Sequence, residues 1–305
     1  MIKYYIAIAR PDHWFKNIFM LPGIVLAFKY DSDADFYLLW PKIILGIISI
    51  CLVASANYVI NEWLDAEFDK YHPKKKDRPS VTQGLKTKWV YTEYALISLT
   101  ALTIAYFVSP IYFILSIIFL IMGILYNVQP FRTKNRIYLD VISESINNPL
   151  RLFLGWSIIT QLLPPSSILL SYWMGGAFLM ATKRFAEYRF INDPERAGLY
   201  RRSFRFYNEK NLLISIVFYA LLSSFFLAVF LIKHKIELIL SFPLFAILFA
   251  WYLDIGFREN SPVQRPEKLY KETPFIIFLI LLSIIMLLLV KIEIPFLESL
   301  INLKH

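Results

Sequence analysis

Apolar residues in this chain gather in long blocks instead of alternating with polar ones, and each block is bounded by charges or turn residues. A hydrocarbon core of about 30 Å is spanned by roughly 17 to 25 helical residues, and nine windows have that character. They cover 13–30, 40–63, 89–108, 111–127, 140–161, 168–187, 211–232, 237–255 and 274–291. The ninth is the plainest, since PFIIFLILLSIIMLLLV holds neither charge nor glycine, and the fifth, DVISESINNPLRLFLGWSIITQ, is the most polar. The pattern predicts an all-α integral membrane protein with nine transmembrane helices.

Composition supports that reading. Of 305 residues, 57% are hydrophobic and 18% charged, and mean hydropathy is +0.52; soluble domains carry roughly 45 to 50% apolar and about 25% charged residues. Disorder is excluded by the same blocks, and the chain shows no soluble domain, short-period repeat or charged tail. Cys51, the single cysteine, lies inside an apolar run and can form neither an intrachain disulfide nor a metal cluster. The net charge of +9 is read here as topology, and no nucleic-acid partner is expected.

With nine spans, 24 Lys and Arg fall on the side of the N-terminus, and four (Lys29, Lys233, Lys235, Lys304) on the other. Cytoplasmic loops carry the excess of basic residues. The expected location is therefore the inner (plasma) membrane, with the N-terminus and long loops cytoplasmic and the C-terminus outside. Asp31, Asp33 and Asp35 fall outside. Lys16 and Asn17 interrupt the first window and no small-residue cleavage site follows, so it reads as a retained helix rather than a leader.

The chemistry concentrates in ANYVINEWLDAEFDKYHPKKKDRPSVTQG, which starts inside the second window and leaves it. Asn57, Asn61, Asp65 and Asp69 recur every four residues, which keeps neighbours within about 40° on one helical face. Glu62 flanks the stripe. Such an oxygen-rich face suits Mg2+, which commonly takes one or two carboxylates and completes its shell with water and phosphate oxygens. His72, Lys74, Lys75, Lys76 and Arg78 follow, a cationic cluster able to hold phosphate. Carboxylates and cations together suggest a metal-bound diphosphate. The alternative is a solvated loop at Asp65 and Asp69, with lysines that only enforce topology; the two asparagines oppose it, because they carry the polar face into the bilayer.

This stretch resembles the first signature of the UbiA superfamily of intramembrane prenyltransferases, N-D-x-x-D-x-x-x-D, often followed by H-P and R-P. Asn61, Asp65, Asp69, His72, Pro73, Arg78 and Pro79 are in step, while Glu62 replaces the usual first aspartate. The segment YNVQPFRTKNRIYLDVISESINNPLR resembles the superfamily's tyrosine and basic segment, with Tyr126 ending a span and Arg132, Lys134 and Arg136 in the loop. Asp140, Glu144, Asn147, Asn148 and Arg151 then form one stripe in the fifth window, either lining a cavity or pairing internally. The sixth window ends in MATKRFAEYRFIND, where Lys183 and Glu187 either pair along the helix or serve the site. Many members carry a second cluster, D-x-x-x-D, at this place. Here K-R-F-A-E stands instead, and it resembles the branch that includes decaprenyl-phosphate phosphoribosyltransferase, as do R-P-D-H-W-F-K-N at Arg10 to Asn17 and, in part, Pro266 and Glu267.

The resemblance covers nearly the whole chain and implies a single UbiA-like transferase domain over 1–305, its helices around a central cavity opening to the cytoplasmic side. It implies Mg2+ as cofactor, held by Asn61, Glu62, Asp65 and Asp69, with Asn61, Asp65 and Asp69 catalytic. Lys16, Arg78, Arg132, Lys134, Lys183 and Arg184 are the expected phosphate ligands; Asn57, Tyr126, Glu144, Asn148, Arg151 and Glu187 are the expected remaining cavity residues. The partners implied are a phosphorylated donor, phosphoribosyl diphosphate, and a polyprenyl lipid phosphate in the membrane. Two alternatives stand beside it: transfer of a polyprenyl group from its diphosphate to an aromatic acceptor, and a lipid or small-molecule transporter.

Overall fold

The computed structural model describes residues 1–297 and contains no strand among them. Its α-helices are α1 (Ile2–Ile8), α2 (Leu21–Tyr30), α3 (Phe36–Asp69), α4 (Pro79–Thr82), α5 (Thr87–Val108), α6 (Pro110–Asn127), α7 (Leu139–Ser145), α8 (Asn147–Ile159), α9 (Ser166–Ile191), α10 (Pro194–Tyr200), α11 (Glu209–His234), α12 (Phe242–Phe257) and α13 (Thr273–Lys291). Lys304 and the C-terminal end lie outside the described residues.

Among the described residues six segments are long and apolar enough to cross a bilayer: α3, α5, α6, α11, Ile236–Phe257 and α13. The protein is a multi-pass membrane protein. The other three expected windows also fall on helical residues, each with a reason for departing from a plain span. In the first, a 3-10 helix over Pro11–Met20 gives way to α2 at Leu21; Pro22, which has no N–H to donate back along the chain, sits in the first turn of α2, where proline is tolerated. In the fifth, α7 ends at Ser145 and α8 restarts at Asn147, because Pro149 cannot donate to the carbonyl of Ser145. In the sixth, α9 has the length but not the apolarity. Much of α13 is exposed, Ile277, Ile280, Leu281 and Leu287 among its apolar side chains. In water that surface would be costly; against lipid it is neutral.

Contacts divide the chain into two compact units, 1–164 with 191–209, and 165–190 with 210–305. The first is organised on α3, which packs against α5, α6 and α8. The Asp35 carboxylate accepts from the Tyr37 N–H at 2.7 Å, capping α3, and the helix then runs 34 residues to Asp69. Ile50, Val53 and Ala56 of α3 share a core with Ala101, Phe119 and Trp156. Where α2 meets α8 there is no room for side chains: a Cβ on Gly23 would lie 1.9 Å from the Leu152 carbonyl oxygen, and one on Gly155 2.1 Å from that of Met20. Small residues that admit close backbones are the usual membrane helix contact.

In the second unit, the Ser171 and Ser223 hydroxyls each donate to the other's carbonyl, at 3.1 and 3.0 Å, fastening α9 to α11. Phe178 meets Phe249 edge-on at 4.8 Å, Phe185 meets Phe257 at 4.8 Å, and Trp251 meets Phe275 at 5.8 Å, joining α9, α12 and α13.

Candidate functional site

The polar stripe on α3 stays helical to its end, so Asn61, Asp65 and Asp69 keep one face as their spacing predicts. Asp65 and Asp69 do not enter a solvated loop: their side chains are 17% and 3% exposed. What meets them comes from the two loops that follow α3 and α6.

The segment after α6 turns sharply, and Arg132 takes φ +31°, a left-handed conformation uncommon for a side-chain-bearing residue. From there its guanidinium reaches back to α3, donating to the Leu64 carbonyl at 3.0 Å and to Asp65 Oδ1 at 3.1 Å, with the Phe68 ring 4.7 Å below it. Lys134 Nζ donates to the same Asp65 oxygen and, at 2.7 Å, to Asn127 Oδ1. Asn61 Nδ2 donates to Asn127 Oδ1 at 2.5 Å and to Asp65 Oδ2 at 3.3 Å. One carboxylate therefore carries two cations on one oxygen, while its other oxygen holds a single amide contact. Burial pushes the Lys134 ammonium down to about 8, against the pull of Asp65 and with the help of Arg132. Burial likewise lowers Arg132.

One turn further along, Asp69 Oδ2 accepts from Arg78 at 2.6 Å, and Glu62, 3% exposed, accepts from the Ser80 hydroxyl at 3.5 Å. Burial alone would weaken the hold of Arg78 on its proton, but Asp69 and Glu62 more than offset it, and its pKa is raised. His72 Nδ1 accepts the N–H groups of Lys74 and Lys75 at 3.1 and 3.2 Å, shaping the turn, and Lys75 donates to the Tyr200 hydroxyl.

The loop before α11 contributes residues that sequence reasoning did not assign. α10 starts on an Asp193 cap, whose carboxylate accepts from the N–H groups of Glu195 and Arg196, and it delivers Tyr200 and Arg201. Together with Asp65, Phe68, Arg132 and Lys134 these enclose a cavity of about 10 Å3, room for a single water. Arg201 donates to the Tyr126 hydroxyl at 3.3 Å and lies 3.8 Å from Asp140, while Tyr126 donates to Glu144 at 2.6 Å. Asp140, fully buried, accepts from Ser203 at 3.1 Å and Tyr207 at 2.8 Å. Asn127, Arg201 and Phe68 carry no sequence periodicity of their own; the only cue to Asn127 is that it follows Tyr126 at the end of an apolar run.

The other expected residues make contacts of their own. Asn57 donates to the Phe119 carbonyl at 2.9 Å, bonding α3 to α6. Arg151 donates to Asn17 at 3.0 Å and to the Asn147 carbonyl at 3.2 Å, its guanidinium 5.0 Å from the Phe119 ring. The fifth-window stripe is thus divided among partners: Glu144 takes Tyr126, Asp140 the basic loop and Arg151 the first window, while Asn148 is half-buried at the start of α8. Lys16 lies 5.6 Å from the Tyr58 ring. In the second unit Arg184, buried, donates to Glu187 at 3.1 Å, so Glu187 has an i,i+3 partner beside the expected Lys183 spacing.

Among the described residues no three His, Cys, Asp or Glu side chains form a protein-only metal cage. The donor set on α3 nevertheless fits a hard cation that brings oxygens with it. Asp65 and Asp69 are one turn apart, and each carboxylate retains acceptor capacity beyond the contacts described above.

The chain is similar to proteins of known kind. It is 27% identical over 190 residues to a decaprenyl-phosphate phosphoribosyltransferase of Mycobacterium tuberculosis, matching 62% of this chain and 60% of that one. It is 26% identical over 184 residues to a protoheme IX farnesyltransferase of Oceanobacillus iheyensis, matching 57% and 56%. The chain thus spans less than two thirds of the length of these curated relatives. In fold it matches a UbiA homolog from Archaeoglobus fulgidus, solved with GPP and Mg2+, at a TM-score of 0.70 and 21% identity, over 95% of this chain and 100% of that one. The model of the UbiA prenyltransferase family matches residues 17–279, and this chain, with its acidic α3 stripe and basic loops, belongs to that family.

Proposed function

We propose that this protein is a Mg2+-dependent membrane transferase that displaces diphosphate, moving 5-phosphoribose from phosphoribosyl diphosphate to a polyprenyl phosphate. In this reading residues 1–305 act as one transferase domain of nine spans in the inner membrane, with the site open to the cytoplasm. The observation that carries it is the single Asp65 oxygen shared by Lys134 and Arg132 in an enclosure that also holds Arg201. Cations outnumber carboxylates there, as suits two substrates that both bring phosphate charge. The relatedness to decaprenyl-phosphate phosphoribosyltransferases supports the same pair of ligands.

Asp65 and Asp69, helped by Asn61 and Glu62, would hold Mg2+, which supplies charge neutralisation for the departing diphosphate. Lys134, Arg132 and Arg201 are placed to transfer from carboxylate to phosphate oxygens as the donor enters, since a multiply charged anion attracts them more strongly than one carboxylate. Those same groups stabilise the negative charge that grows on the leaving group as the C1–O bond breaks. The acceptor phosphate, with a second pKa near about 6, is already ionised near neutral pH and attacks without a general base. Arg78, held on Asp69, is within the same acidic end of α3 and available to the diphosphate's outer oxygens.

The test uses purified protein in detergent, labelled phosphoribosyl diphosphate, polyprenyl phosphate and Mg2+. Label should pass into the lipid extract; chelation with EDTA should abolish transfer, and added Mg2+ should restore it. Product formed only from prenyl diphosphate and an aromatic acceptor would overturn the phosphoribosyl assignment.

A further inference from the structure

A second cavity, of about 160 Å3, lies at the same end of α3 and shares Phe68 with the one around Asp65. Glu67, Tyr71, Gly198, Arg202 and Arg205 form most of the remaining wall. None of them belongs to the expected site. Arg202 and Arg205 are exposed, and among the described residues neither guanidinium meets a carboxylate within ion-pair distance. Phe68 links the two cavities electrostatically as well as sterically. Arg132, from the first, lies 4.7 Å from its ring centroid, and Arg202, from the second, 5.7 Å. The two guanidinium carbons are therefore no further apart than the sum of those distances, within reach of the two ends of one small substrate.

The backbone accommodates this arrangement. Arg196 donates to the Tyr71 carbonyl at 2.9 Å, tying α10 to the end of α3. Gly198 leaves room for Arg205: a Cβ there would come 2.7 Å from Arg205 Cγ, in the middle of the side chain, so any larger residue displaces the arginine. Two arginines with forked donors and one carboxylate give the cavity a net single positive charge. That suits a phosphate monoester carrying hydroxyl groups, the arginines taking phosphate oxygens and Glu67 accepting from a hydroxyl.

We infer that the cleft formed by Arg202, Arg205 and Glu67 is a phosphate-monoester subsite beside the cations gathered on Asp65. The inference rests on the function proposed above, in which both substrates carry such a group: the sugar's 5-phosphate and the lipid acceptor's phosphate. A prenyl diphosphate carries none, so the cleft favours phosphoribosyl donors over prenyl donors.

The experiment compares the intact protein with Arg202→Gln/Arg205→Gln, Arg202→Lys/Arg205→Lys and Gly198→Ala, each in detergent with Mg2+. Calorimetric titration with ribose 5-phosphate and, separately, with pyrophosphate is combined with KM for donor and acceptor. Ribose 5-phosphate affinity and donor KM should each worsen at least tenfold in the glutamine variant, with pyrophosphate binding unchanged, which also shows that the variant is folded. The lysine pair, keeping charge but losing the fork, and Gly198→Ala, keeping both arginines but moving one, should fall between. A rise confined to acceptor KM would assign the subsite to the lipid phosphate. Arginine-dependent ribose 5-phosphate binding without any ribosyl transfer by the intact protein would remove the proposed reaction and keep the subsite. Unchanged ribose 5-phosphate binding and unchanged KM for both substrates in the glutamine variant would overturn it.

Discussion

In the proposed reaction Asp65 would do two jobs, and its substitution separates them. Its carboxylate balances Lys134, whose side chain is 4% exposed, and Arg132 at 9%; removing one partner of a buried pair leaves charge uncompensated, at about 3 kcal/mol. Asp65→Asn should therefore lower thermal stability in detergent and reduce kcat/KM at least about a hundredfold, the scale of a lost electrostatic stabiliser. Adding Lys134→Met should recover most of the stability and none of the activity, read by thermal melts and lipid-extractable label. A double variant that regained turnover would remove Asp65 from the reaction. The α3 stripe was legible because a period of four is a property of the chain alone. Arg201 was not, because seven other Lys and Arg residues share the stretch 183–210, and only proximity distinguishes the one that reaches Tyr126 and the Asp65 cavity.

At the scale of elements, the fifth window shows how a broken helix serves the site. Asp140 on α7 gathers Ser203, Tyr207 and Arg201 from the loop before α11, so it acts as a positioning residue for the basic wall. Asp140→Asn keeps the volume and removes the countercharge. Donor KM should rise about tenfold, the order of one lost charge-assisted contact, with kcat less affected and faster proteolysis within 192–208; unchanged KM and proteolysis would leave Asp140 a packing residue only. The α2–α8 contact makes a separate prediction. Gly155→Ala forces a methyl against the Met20 carbonyl, and overpacking of this kind costs about 1–3 kcal/mol; the melting midpoint should fall by several degrees. Helix periodicity announced these elements, including the run of α3 to Asp69, but not the break at Ile146. The break follows from Pro149, which cannot donate to the carbonyl of Ser145.

For the whole molecule, charge asymmetry makes the sharpest claim. Cys51 is buried, 6% exposed, and is the chain's one cysteine, so single cysteines introduced at Lys76, Asn135 or Asn208 can be read against a quiet background. A membrane-impermeant maleimide should label them only after the cytoplasmic face is opened, while a cysteine at Asp33 should react from outside in intact cells; the reverse pattern would invert the topology. The amino-acid order by itself determined an all-helical membrane chain, the positions of six of the nine expected spans within a few residues and the acidic face of α3, because hydrophobic length and helical period are local quantities. Only the tertiary structure decided which cations meet Asp65, that Asn127 and Arg201 join them, and that Asn57 and Arg151 are spent on helix contacts. Those outcomes depend on segments more than sixty residues apart along the chain being brought within hydrogen-bonding distance, and no local period records that.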